Sequence, residues 1–132
     1  MELDTTKKVL VAEDNPHLRQ VLVKIIQKIG YEKIMEAENG TIAWQFVQRG
    51  GVDIVLTDWA MPGLDGMQLL KKIRLSKEPT CDIPFLMITA ADTKNAIMSA
   101  GKEGVDAYII KPFNVSTVIE KIKEAIDKRA SS

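Results

Sequence analysis

Four short apolar stretches of this sequence each finish on a residue equipped for chemistry. Val9-Leu10-Val11-Ala12 runs into Glu13-Asp14, Ile54-Val55-Leu56-Thr57 into Asp58, Pro84-Phe85-Leu86-Met87-Ile88 into Thr89, and Ala107-Tyr108-Ile109-Ile110 into Lys111. Together they offer three carboxylates, a hydroxyl and an ammonium. Clustered carboxylates repel one another unless they share a cation. An oxygen-only donor set with few carboxylates suits Mg²⁺, which keeps waters and accepts a phosphate oxygen. That points to phosphoryl chemistry. An Asp can attack phosphorus to give an aspartyl phosphate, while a divalent ion and a Lys neutralise the transferring group. A hydroxyl at Thr89 can then donate to the new phosphoryl group and sense it.

Taken singly, each residue has a plainer use. Asp14 can cap a helix opening at Asn15-Pro16, and Asp58 can form a turn. Thr89 can be a cap or a satisfied hydroxyl, and Lys111 a solvated charge. Four such coincidences at the ends of strands outweigh the plain readings.

The elements that must deliver these residues follow from periodicity. Leu18, Val21, Leu22, Ile25, Ile26 and Ile29 mark a helix face after Pro16, stopped by Gly30. A weaker strand at Ile34-Met35-Glu36-Ala37 precedes a helix capped by Asn39 that carries Ile42, Ala43, Phe46 and Val47 and ends at Gly50-Gly51. A third helix follows Asp65-Gly66, with Met67, Leu70 and Ile73 inward and Lys71, Lys72 and Arg74 outward. Residues 94–103 form a poor helix, thin in apolar residues and weakened by Gly101. The last helix, capped by Asn114, turns Val118, Ile119, Ile122, Ala125 and Ile126 inward and leaves a polar tail from Arg129. Five strands alternating with five helices predict an α/β, flavodoxin-like fold with a five-stranded parallel sheet covered on both faces. The doubly wound order 2-1-3-4-5 places a crevice beside strands 1 and 3 at their carboxyl ends, where the polar residues collect.

Composition narrows the class. The 132 residues fit one domain with a core of about 7–128. Lys plus Arg and Asp plus Glu are 18 each, which gives no basic stripe for nucleic acid. No apolar run approaches the roughly 20 residues of a membrane span, and the start has no signal-peptide core. The single Cys81 suits a reducing cytosol. A cytoplasmic protein without nucleic-acid or membrane partners is expected.

The motifs VLVAEDN (9–15), VLTDWAMPGLDG (55–66), ITA (88–90) and YIIKPF (108–113) resemble bacterial two-component receiver domains, and within them the single-domain chemotaxis regulators. The resemblance implies that Asp58 is the phosphoacceptor and that Asp14 binds Mg²⁺ directly. Glu13 then binds the ion through water, and the backbone carbonyl of Ala60 is a further ligand. It makes Thr89 the switch hydroxyl, Tyr108 the aromatic switch, Lys111 the phosphate-contacting ammonium and Lys111-Pro112 a cis bond. Lys94, Ile97, Tyr108, Ile110 and Lys121 fall on the partner-binding face of the fourth helix, fifth strand and fifth helix. The implied partners are a histidine kinase as phosphodonor, a flagellar motor switch protein and a phosphatase.

The family role is a signalling switch that assists its own phosphorylation and autodephosphorylation. Ala60 and Ala91 replace polar side chains that usually sit beside the attacking water in chemotaxis regulators, so slow, environment-dependent dephosphorylation is expected. Alternatives are a receiver excised from a larger transcriptional regulator or hybrid kinase, and a phosphorelay shuttle. An aspartyl-phosphate hydrolase would need an acid where Ala60 stands. A nucleotide-binding domain would need a Gly-rich loop that EDNPHLR lacks.

Overall fold

The computed structural model describes residues 2–90 and 104–131. Five strands, β1 (Val9–Ala12), β2 (Ile34–Ala37), β3 (Ile54–Asp58), β4 (Phe85–Thr89) and β5 (Ala107–Ile110), form one sheet. Its order is β2-β1-β3-β4-β5, and every pairing is parallel. Four α-helices are described: α1 (Pro16–Ile29), α2 (Gly40–Arg49), α3 (Gly66–Arg74) and α4 (Val115–Ala130). A short 3-10 helix, Thr80–Asp82, precedes β4. The helix expected over 94–103 lies outside the described residues, as does Ala91.

The sheet divides the core because side chains alternate across a strand. Leu10, Ala12, Val55, Phe85 and Met87 join α2 and α3 residues on one face. Val9, Val11, Ile54, Leu56, Leu86 and Ile88 join α1 and α4 residues on the other. Each fully buried Leu or Ile contributes about 1.5–3 kcal/mol, so β1, β3 and β4 are anchored from both sides. By the same alternation Glu13 continues the Val9–Val11 row and Asp58 the Ile54–Leu56 row, which turns both toward the α1 side.

Helix starts are fixed by side-chain caps, each contributing about 0.5–2 kcal/mol. Asn15 accepts from Leu18 N, Asn39 from Ile42 N and Asn114 from Thr117 N. Asn15 rather than Asp14 is therefore the cap of α1, which leaves Asp14 for another task. Asp65 and Gln68 form a reciprocal capping box on α3.

Three expectations need correcting. Val21 is more than a third exposed, and Val23 takes its place in the core beside Leu22 and Ile26. Arg74, expected outward, is drawn in and donates to the carbonyls of Cys81, Ile83 and Gly104 and to the carboxylate of Asp106. Arg129 is part of α4 rather than a tail and donates to Asp106 at 2.7 Å.

Candidate functional site

Parallel pairing brings the strand ends to one edge. β1 lies against β3 with Ala12 opposite Thr57, and β3 against β4 with Asp58 opposite Ile88. β4 lies against β5 with Thr89 opposite Ile110. Glu13, Asp14, Asp58, Thr89 and Lys111 therefore meet at the carboxyl edge. Ligand oxygens of Glu13, Asp14 and Asp58 all lie within 4.8 Å of one another.

The loop after β3 is held tightly. Trp59 N donates to Ile88 O and Gly66 N to Trp59 O, both at 2.9 Å. A Cβ on Gly66 would meet the Asp58 carbonyl oxygen at 2.5 Å and Trp59 Cα at 2.9 Å, so only glycine permits this approach. Asp58 itself is buried, and both of its oxygens are engaged. Lys111 Nζ donates to Oδ2 at 2.8 Å and Ala60 N to Oδ1 at 3.2 Å. Lys111 follows a β5 backbone tied to β4 through Lys111 N→Thr89 O, and Lys111-Pro112 is cis. A second cis bond, Glu78-Pro79, was not foreseen.

Glu13 is the group left wanting. Its Oε2 accepts one bond from Asn15 N at 3.2 Å. Its Oε1 is buried without a hydrogen-bond partner among the described residues, with Lys111 Nζ at 4.0 Å. Burial is the main cause that pushes the Glu13 carboxyl up to about 8, and the facing carboxylates of Asp58 and Asp14 add to it. A buried carboxylate without donors is costly, and a hard cation shared by the three groups would relieve it. The donor set thus fits Mg²⁺: Glu13, Asp14 and Asp58 are all oxygen ligands, and Asp14 is open to solvent.

Thr89 is buried at the end of β4. Ala60 is exposed next to Asp58. Tyr108 is half-buried and meets Trp59 edge-on, ring centroids 6.4 Å apart. Ile110 is exposed, and Lys121 pairs with Glu124 at 3.2 Å. Lys94 and Ile97 lie outside the described residues. Arg19 went unnoticed in the sequence: its Nη1 donates to the Glu13 carbonyl at 2.7 Å. Its position three and four residues before buried Leu22 and Val23 was the available signal.

Cavities of about 500 and 390 Å³ open at the opposite, amino edge around Asp53 and Pro84. The acidic cluster lies at the other edge, away from both. Among the described residues no helix is long and apolar enough to cross a membrane.

Comparison with known proteins bears on this arrangement. A family model described as "Response regulator receiver domain" matches residues 9–123. The chemotaxis protein CheY-3 of Vibrio cholerae is 35% identical over 126 residues, 96% of this chain and 96% of that protein. A chemotaxis protein CheY homolog of Campylobacter jejuni is 33% identical over 120 residues, 90% of this chain and 92% of that protein. Among solved structures, chemotaxis protein CheY4 of Vibrio cholerae has a TM-score of 0.82 at 25% identity, over 91% of this chain and 98% of that one.

Proposed function

The chain belongs to the response regulator receiver domain family, and on that premise we propose that it is a switch phosphorylated on Asp58. The observation that carries the proposal is the meeting of Glu13, Asp14 and Asp58 within 4.8 Å, with Lys111 Nζ 2.8 Å from Asp58. Mg²⁺, held by Asp14, Asp58 and the Ala60 carbonyl, with Glu13 acting through water, would neutralise charge on the phosphoryl group.

This chain's residues do the rest. An oxygen of Asp58 attacks phosphorus in line, and the bond from phosphorus to the imidazole nitrogen of a phosphohistidine breaks. The imidazole keeps the bonding pair and takes a proton from water. Lys111 moves its contact from Asp58 to a phosphoryl oxygen, and the Ala60 N–H keeps Asp58 aimed. Thr89 then donates to the phosphoryl group. Tyr108, packed on Trp59 beside the acceptor, follows Thr89 and reshapes the face carrying Ile110 and Lys121.

A histidine kinase is the donor, and the cytoplasm is the place of action. The names of the curated relatives favour chemotaxis, and the target that goes with that reading is a flagellar motor switch protein. The test is mass spectrometry after treatment with acetyl phosphate and Mg²⁺. Wild type should gain one phosphoryl group and Asp58→Asn none; phosphate elsewhere, or none on wild type, overturns the assignment. Ala60→Asn should then shorten the lifetime of the Asp58 phosphate, and an unchanged decay would remove Ala60 as the cause of slow hydrolysis.

A further inference from the structure

We propose that Arg19 is a positioning residue of the cation site, acting through the backbone of Glu13; the inference rests on the Mg²⁺ reading above. Arg19 projects from the first turns of α1 and is largely buried, with 17% of its side chain exposed. Its Nη1 donates to the Glu13 carbonyl at 2.7 Å, and its Nε donates to Glu36 Oε1 at 3.2 Å. Gln20 Nε2 donates to the same Glu36 oxygen at 2.8 Å. Glu36 stands on β2 opposite Val11 of β1.

The contact falls at a telling place. The Glu13 carbonyl belongs to the peptide that joins Glu13 to Asp14, the two carboxylates contributed by β1. The N–H of Glu13 is already bonded to Ala37 O at 3.0 Å. With Arg19 on the carbonyl, both backbone groups of Glu13 are pinned between β2 and α1. That sets the directions in which the Glu13 and Asp14 side chains leave the chain. Arg19 is the donor that meets this carbonyl. Without Arg19 the Glu13–Asp14 peptide loses this restraint, while Asn15 still caps α1.

Charge and position make opposite demands here, which renders the idea testable by sign. A guanidinium near a cation site disfavours the cation by simple repulsion. Removing it would tighten Mg²⁺ binding if charge were all that mattered. Glu36 offsets that charge, so Arg19 contributes its fork of donors at little electrostatic cost. Partners that orient metal ligands typically alter metal affinity roughly ten- to a hundredfold when lost.

The experiment is calorimetric Mg²⁺ titration of wild type, Arg19→Gln and Arg19→Lys, with thermal melts in a chelator alongside. Arg19→Gln should weaken Mg²⁺ roughly tenfold or more. Arg19→Lys, which keeps the charge but loses the fork, should weaken it by less. Equal or tighter binding in either folded variant overturns the proposal, even if its melting temperature falls, since lower stability alone would mark a structural role. Should Arg19→Gln not fold, Arg19→Lys decides by the same criterion. Wild type that fails to bind Mg²⁺ overturns the Mg²⁺ reading and this inference with it; wild-type binding with unaltered variants overturns this inference alone.

Discussion

Two buried carboxylates stand at opposite edges of the sheet, and they are treated in opposite ways. Asp106, just before β5, accepts from Phe85 N and Arg74 Nη2 on one oxygen, each at 2.8 Å, and from Arg129 Nε on the other at 2.7 Å. Glu13, just after β1, has one long bond from Asn15 N and an oxygen with no partner among the described residues. Asp106 joins α3, β4, β5 and α4 into one satisfied network. Burial pulls the Arg74 guanidinium down from its ordinary value, and Asp106 works against that shift. Equal burial with unequal satisfaction separates the two tasks. A completed polar network holds a fold, whereas an incomplete one marks where a ligand belongs.

The largest expected effect tests the satisfied side. Asp106→Asn removes the charge that Arg74 and Arg129 share and should cost about 3–5 kcal/mol in urea unfolding. Its Mg²⁺ affinity should match wild type while it remains folded. Retained stability with lost Mg²⁺ binding would break the comparison. On the other side, Glu13→Gln removes an ionisable buried group whose amide can still donate to Asp14 or Asp58. Metal-free stability near neutral pH should rise by about 1–3 kcal/mol, while Mg²⁺ binding weakens. A fall in metal-free stability would show that Glu13 holds the fold as Asp106 does.

The carboxyl edge was legible in the sequence because a parallel sheet converts linear order into spatial coincidence. Once Val9–Ala12, Ile54–Thr57, Pro84–Ile88 and Ala107–Ile110 read as strands, the residues ending them had to meet. The amino-edge cluster was not legible, since its partners are tens of residues apart and arginine looks solvated wherever it occurs. A finer reading of helical phase had the signal. Arg74 falls four residues after buried Leu70, Arg129 four after buried Ala125, and Arg19 three before buried Leu22. All three share the phase of an apolar stripe near a helix end, where the core gives way to strand termini. An arginine in that phase lays its stem on the core and its guanidinium on carbonyls near strand ends, as for Arg19 and Arg74, or on the Asp106 carboxylate, as for Arg129. The acidic turn drew attention to Glu13 and Asp14; nothing in their spacing announced that Arg19 would reach back to the peptide between them.

The smallest effect comes from the other buried orphan, the Tyr31 hydroxyl, which bounds what an unsatisfied atom can mean. Tyr31 is 1% exposed and packs with Val9, Ile26 and Ile54 in the α1–α4 half of the core. Its hydroxyl has no hydrogen-bond partner among the described residues, and Tyr31 is not part of the acidic cluster. Because the group is neutral, leaving it unpaired costs far less than an unpaired carboxylate would. Tyr31→Phe should therefore stabilise the protein by about 1 kcal/mol and leave Mg²⁺ affinity alone. Burial, with the charge of Asp4 adding to it, pushes the phenol above its ordinary value of 10.0. Above that pH an unfolded tyrosine releases its proton while the folded one keeps it, so the folded state loses stability as pH rises. The gap between wild type and Tyr31→Phe should accordingly widen above pH 10 in paired urea melts. A constant gap would mean that water reaches the hydroxyl in solution, which would leave Glu13 as the unmet demand among the described residues.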